Sequence, residues 1–171
     1  DAAVEAMKRG AYDFITKPVK VDEVNSAFRA ATPEELEALD TLTKEGVWNL
    51  AGHDLKLTNL DKPLFEGRGT SAGDAGKDGE PITKRELIRY FATIAPTMLP
   101  HVVDRPLNFQ RFPNGAEAPG FWQKDIPETA PKWLTRWHET GVDGRTDRDA
   151  NDHLLATDAA TLAWLGNQAS F

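Results

Sequence analysis

Thr83-Lys84-Arg85-Glu86-Leu87-Ile88-Arg89-Tyr90-Phe91-Ala92-Thr93-Ile94-Ala95-Pro96-Thr97-Met98-Leu99-Pro100 is the stretch from which the fold is best read. Thr83 and Glu86 stand at the spacing of a capping box, in which each side chain satisfies the other's backbone N–H at a helix start. Leu87, Ile88, Phe91, Ile94, Ala95, Met98 and Leu99 then recur at three- and four-residue intervals, one apolar stripe along a helix. The spacing predicts a helix from Thr83 that stops at Pro100, because proline removes a donor and crowds the preceding turn. A helix with one apolar face needs a surface to cover, so its neighbours in sequence are read as that surface.

Upstream, Leu55 and Leu57 alternate with polar residues and predict a strand running into Thr58-Asn59. Residues 66–80 hold five glycines and no large apolar side chain, the composition of a surface loop. Its Gly73-Asp74-Ala75-Gly76-Lys77 is superficially a phosphate-cradling loop. That motif requires four residues between its glycines and a Ser or Thr after the Lys, where Asp78 stands here, so a plain loop is the preferred reading. Thr32-Pro33-Glu34-Glu35 is another capping box, with Pro at the first helical position, and starts a charged linker helix running to Leu42. Residues 1–31 read as helix, strand, helix: Ala2 to Arg9, then Tyr12 to Thr16, then a stripe of Val24, Ala27, Phe28 and Ala31.

Downstream, Arg105 to Phe112 reads as a strand, Pro113-Asn114-Gly115 as a turn and Phe121 to Ile126 as the partner strand. Pro131 to Trp137 is amphiphilic and undecided, residues 141–152 form a polar loop, His153 to Ala156 a short strand, and Asp158 opens a last helix. Helices and short strands mixed in this way make an α+β fold, divided into a remnant at 1–31, a linker helix at 32–46 and a domain at 47–171.

The 171 residues are 40% apolar, enough to build a core. Without cysteine there is no disulfide, thiolate metal site or cysteine nucleophile, and four scattered histidines offer little to zinc. No apolar run reaches the roughly 20 residues a membrane-spanning helix needs, and no secretory signal pattern is present, so no membrane partner and a cytoplasmic location are expected. The chain starts at Asp1 and ends at Phe171 in a helix-like stretch, so both ends are expected to be cuts in a longer protein. The net charge of −7 argues against nucleic acid on average, yet residues 81–125 carry +2 through Lys84, Arg85, Arg89, Arg105, Arg111 and Lys124.

Three constellations could carry chemistry. Asn59, Lys62 and Lys84 flank the glycine-rich loop, and a loop that folds back would bring them together at a helix N-terminus, whose free N–H groups and partial charge suit a terminal phosphate. Two solvated surface lysines are the bland alternative. Phe121 and Trp122, with Arg111 and Lys124 nearby, mix aromatic and basic groups as base-stacking surfaces do, although adjacent strand residues point to opposite faces and two core rings are the alternative. Asp143, Asp147, Asp149 and Asp152 suggest a metal. The turn-rich setting argues against it, since paired metal carboxylates need a rigid strand, and the glycine and closing glutamate of a calcium loop are lacking.

On these residues residues 47–171 resemble the first part of the polymerase domain of bacterial ligase D, a primase-type polymerase of non-homologous end joining. The blocks that carry the resemblance are Leu57-Thr58-Asn59-Leu60-Asp61-Lys62, Thr83-Lys84 with Ala95 to His101, Arg105-Pro106, Arg111 to Gly115, Pro119 to Lys124 and Ala160 to Leu165. The resemblance implies that Asn59, Lys62 and Lys84 grip the 5′-phosphate of a DNA break. It implies too that Phe121 and Trp122 pack on the template strand, with Arg111 and Lys124 beside them. Gln110 departs from the basic residue common at that position. The family's metal-binding Asp-x-Asp, its third carboxylate and its nucleotide-binding basic residues lie in a later part of the domain than this chain reaches. The expectation is therefore the DNA-break-binding part of a repair polymerase, without catalytic residues of its own. The intact relative would add ribo- or deoxynucleotides with Mg or Mn, beside a ligase domain and a Ku-like end-binding protein. Residues 1–31 also resemble the end of a response-regulator receiver domain, through Ala11 to Pro18, with Lys17 and Phe14 at its lysine and switch-aromatic positions. The phosphoacceptor aspartate is missing, and a non-enzymatic signalling or interaction module is the alternative function.

Overall fold

The computed structural model describes residues 28–66, 79–139 and 151–171. The receiver-like segment as far as residue 27, the glycine-rich stretch 67–78 and the acidic residues Asp143, Asp147 and Asp149 lie outside the described residues. In chain order the elements are α1 (Pro33–Thr41), β1 (Gly46–Leu50), β2 (His53–Leu57), β3 (Pro63–Phe65), β4 (Ile82–Thr83), α2 (Lys84–Val102), β5 (Pro106–Leu107), β6 (Phe109–Arg111), β7 (Phe121–Gln123), β8 (Arg136–His138), β9 (Asp152–Leu155) and α3 (Ala159–Asn167). The strands pair antiparallel as β1-β2, β3-β4, β5-β9-β8 and β6-β7. Helices and short antiparallel strands around one core make this an α+β fold.

Both capping boxes form. Thr32 Oγ1 accepts from Glu35 N at 3.2 Å while Thr32 N donates to the Glu35 carboxylate at 2.8 Å, and Thr83 and Glu86 repeat the exchange at the start of α2. The predicted stop at Pro100 does not occur: α2 continues to Val102, with Val103 N donating to Leu99 O at 2.8 Å. Pro96 and Pro100 both lie on the exposed side of the helix, where a lost N–H is tolerated. Pro96 cannot bond the buried Ala92 carbonyl, and Ala31 N takes that acceptor at 2.9 Å. A helix defect thus becomes the attachment point of the preceding chain.

α3 is apolar on every side, and every residue from Ala159 to Gly166 is buried, as expected of a helix enclosed by its neighbours. Asp158 caps it, accepting from Thr161 N at 2.7 Å. It crosses α2 closely at Gly166, where a Cβ would stand 3.2 Å from Ile88 Cα and 3.1 Å from the Phe91 ring. The helix ends at Asn167, so Phe171 lies beyond it, stacked on Phe112 with ring centroids 4.7 Å apart.

The single strand expected over Arg105 to Phe112 is split at Asn108: β5 joins β9, and β6 joins β7 in another sheet. Regular pairing cannot serve two partners that lie in different directions, so the chain turns between them. β7 is also shorter than the expected Phe121 to Ile126. After Gln123 the chain leaves the ladder, and Ile126 N bonds Asp152 O instead.

Candidate phosphate pocket and aromatic ribbon

β2 ends at Leu57, and the chain turns sharply at Asn59, whose φ of 54° is left-handed, a conformation asparagine tolerates better than most residues. This turn lays residues 60–62 over the start of α2. Lys84 N donates to Lys62 O and Arg85 N to Leu60 O, each at 2.9 Å, while Glu86 N is held by Thr83 Oγ1. The free N–H groups expected at this helix start are therefore already occupied. The loop that brings the lysines together consumes them, and any anion here must be held by side chains.

Those side chains converge. Asn59, Lys62, Lys84 and Arg111 line one open pocket of about 240 Å³, closed on its far side by the end of α3 at Asn167 and Gln168. Lys84 is buried, and its ammonium donates to Thr58 O at 2.7 Å. Burial, reinforced by the charges of Arg111 and Lys62, lowers its pKa to about 8. One of its three donors is thus used within the described residues, and Lys84 lines the pocket beside Lys62 and Arg111. Lys62 is half-buried and held loosely, 3.5 Å from Asn114 Oδ1. Asn114 belongs to the turn 113–116, which docks on β3 through Ala116 N to Leu64 O at 2.6 Å. Gly115, at φ 97°, permits this approach: a Cβ there would stand 3.2 Å from Leu64 O.

Arg111 stands at the end of β6. Its Nε donates to Gln168 O at 3.1 Å and its Nη1 to Gln123 Oε1 at 2.9 Å, and burial lowers its pKa. Its guanidinium carbon also lies 5.5 Å from the centroid of the Phe121 ring, directly across the β6–β7 ladder. The sequence grouped Arg111 with the aromatic residues alone; the structure gives it to the pocket as well.

Phe121 and Trp122 are 49% and 66% exposed, so neither ring enters the core. They lie on opposite sides of the ribbon, as alternation requires. Phe121 faces Arg111, and Trp122 faces an apolar groove shared with Phe91 and Met98. Lys124, just past β7, is exposed and forms no ion pair among the described residues.

Asn167, Gln168 and Thr58 were not identified from the sequence. Asn167 ties the corner together: its Oδ1 accepts from Thr58 N at 3.3 Å and its Nδ2 donates to Lys56 O at 3.0 Å. A contact across more than a hundred residues leaves no local signal; an asparagine at a helix end suggests only a cap. Among the described residues no group of three or more His, Asp or Glu side chains is placed to hold a metal ion. Nor is any helix of the described residues long and apolar enough to cross a membrane.

Comparison with known proteins places these features in context. The sequence model of the LigD primase-polymerase domain matches residues 83–171. The multifunctional non-homologous end joining protein LigD of Mycolicibacterium smegmatis is 32% identical over 124 residues, which is 72% of this chain and 14% of that protein. The bifunctional LigD of Bacillus subtilis is 29% identical over 114 residues, 67% of this chain and 15% of its own length. The polymerase domain of Mycobacterium tuberculosis ligase D, solved in complex with DNA, superposes with a TM-score of 0.53 at 31% identity, over 68% of this chain and 34% of that one. The chain therefore spans about a seventh of the length of the full relatives.

Proposed function

This chain belongs to the LigD primase-polymerase family, and from that premise we propose that it is the part of an end-joining repair polymerase that docks on a DNA break. The pocket takes the recessed 5′-phosphate, and the exposed rings of β7 take the unpaired template strand. One observation carries this reading: Asn59, Lys62, Lys84 and Arg111, drawn from three separate parts of the chain, line one cavity and leave cationic donors unused among the described residues. Two lysines that merely solvated a surface would not be held together with one of them buried. The M. tuberculosis relative, captured with DNA, supports the same class of partner.

A terminal phosphomonoester carries nearly two negative charges and three unshared oxygens, a fit for two ammonium groups and a guanidinium; a phosphodiester within a strand carries one. Lys84 is held at a fixed depth by the Thr58 carbonyl, whereas Lys62, weakly held, can close over the anion. Asn59 adds a neutral donor at the rim. The reading is tested by comparing affinity for recessed duplexes with and without the 5′-phosphate at matched salt. A preference of about ten-fold or more is expected, since each charge-assisted hydrogen bond contributes about 1.5 to 3 kcal/mol; equal affinities would end the assignment. Lys62→Ala with Lys84→Ala should also flatten the fall of affinity with added salt.

A further inference from the structure

The pocket and the ribbon meet in one side chain. Arg111 lines the phosphate cavity, and its guanidinium also lies against Phe121, its direct partner across the β6–β7 ladder. Two of its donors are committed, Nε to Gln168 O and Nη1 to Gln123 Oε1, and Nη2 carries no hydrogen bond among the described residues. Gln123 is itself on β7, two residues from Phe121, and its Nε2 bonds Asp125 O at 2.9 Å. The guanidinium is thus braced from the α3 end on one side and from the ring-bearing strand on the other.

We propose that Arg111 couples the two halves of the DNA site, so that a terminal phosphate in the pocket and an unpaired base on Phe121 each strengthen the binding of the other. This rests on the function proposed above. A phosphate accepting from the unused Nη2 fixes the guanidinium plane, and with it the Phe121 ring beneath, so a base stacking on the outer face of that ring meets a surface already ordered. Linkage makes the effect reciprocal. Lys62 and Lys84 line the pocket, and Trp122 faces the opposite groove, so none of the three offers this connection. The consequence is discrimination. A break that presents both a 5′-phosphate and a single-stranded template is favoured beyond the sum of its parts, over blunt ends and over nicks without an unpaired base.

The experiment is a two-by-two set of duplexes bound to the whole chain at matched salt: the 5′ end phosphorylated or hydroxyl, and the opposing strand blunt or extended as a 3′ overhang. The affinity gain from phosphate is expected to be about five-fold larger on the overhang than on the blunt duplex, within the usual range for coupled sites. Phe121→Leu, at a half-exposed position, should bring the two gains to equality while the phosphate gain itself persists, and Arg111→Lys should bring them to equality at a smaller phosphate gain, because an ammonium cannot bridge both partners. A phosphate gain that is present but equal on both duplexes overturns the coupling and leaves the pocket standing. No phosphate gain on either duplex overturns both. Coupling that survives Phe121→Leu, in a variant with an unchanged melting temperature, overturns Arg111 and Phe121 as its route.

Discussion

The corner where β2, α2 and α3 meet and the β6–β7 ribbon both present chemistry to solvent, but they are built in opposite ways. The corner is over-determined: Asn167 pins it from the far end of the chain, the helix N–H groups are spent on it, and Lys84 is buried within it. The ribbon is a ladder of three residue pairs in which Phe109 faces the core while Phe121 and Trp122 on β7 stay exposed. Position matters most for a charge that must meet an anion, and area matters most for a ring that must meet a flat base. A group that needs fixed geometry is anchored by many bonds; a group that needs only a face can be left on a short strand.

That contrast predicts unequal costs. The largest effect is expected at Lys84. Lys84→Met should lower the preference for 5′-phosphorylated ends by about 10- to 100-fold, roughly the loss of one buried charge-assisted contact. The same variant should melt no lower than the wild type at pH 7, since burying the uncharged side chain avoids the desolvation that lowers the pKa of Lys84. A large fall in melting temperature would mean that Lys84 supports the fold rather than the site.

The next effect concerns a structural carboxylate outside both regions. Glu35 accepts from Arg29, Thr32 N and Ala51 N, and the Arg29 guanidinium holds its pKa at about 2. A carboxylate with a depressed folded pKa stabilises above its unfolded value, so this contribution is full near neutrality and is lost as pH falls from about 5 toward 2. Glu35→Gln should cost on the order of 2 kcal/mol at pH 7 in chemical denaturation and should remove part of the acid sensitivity.

A smaller change is expected at the ribbon. Phe121→Ala and Trp122→Ala should each weaken binding of an unpaired overhang by about 1 kcal/mol or somewhat more, with stability within about 0.5 kcal/mol of wild type, because both rings are exposed. The smallest is a proton. As pH rises through about 8 the free pocket loses the Lys84 charge, so affinity for phosphorylated ends should fall several-fold between pH 7 and 9, and calorimetry in buffers of different ionisation enthalpy should show proton uptake on binding. The stability trend has the opposite sign: between about 8 and 10.5 the unfolded chain holds the proton that the folded one has released, so folding stability gains from Lys84 as pH rises.

Local rules accounted for much of the framework. Thr32 with Glu35, Thr83 with Glu86 and Asp158 each mark a helix start because a cap is satisfied within four residues. Leu55 and Leu57 face inward because alternation belongs to the strand itself. The extension of α2 past Pro100 and the split at Asn108 were not legible, since each depends on what lies alongside: open solvent on the proline face in one case, two separate partner strands in the other.

The candidate site divides along the same line. The sequence by itself determined which residues could hold a phosphate or stack a base, because charge, aromaticity and a polar amide are properties of single positions. Only the tertiary structure decided that Lys62 and Lys84 share a cavity, that the helix N–H groups are already taken, and that Arg111 joins the pocket to Phe121. These facts rest on contacts between segments far apart in the chain, where the geometry is set by the packing of α3 against α2 and β2 and leaves no mark on any local run of residues.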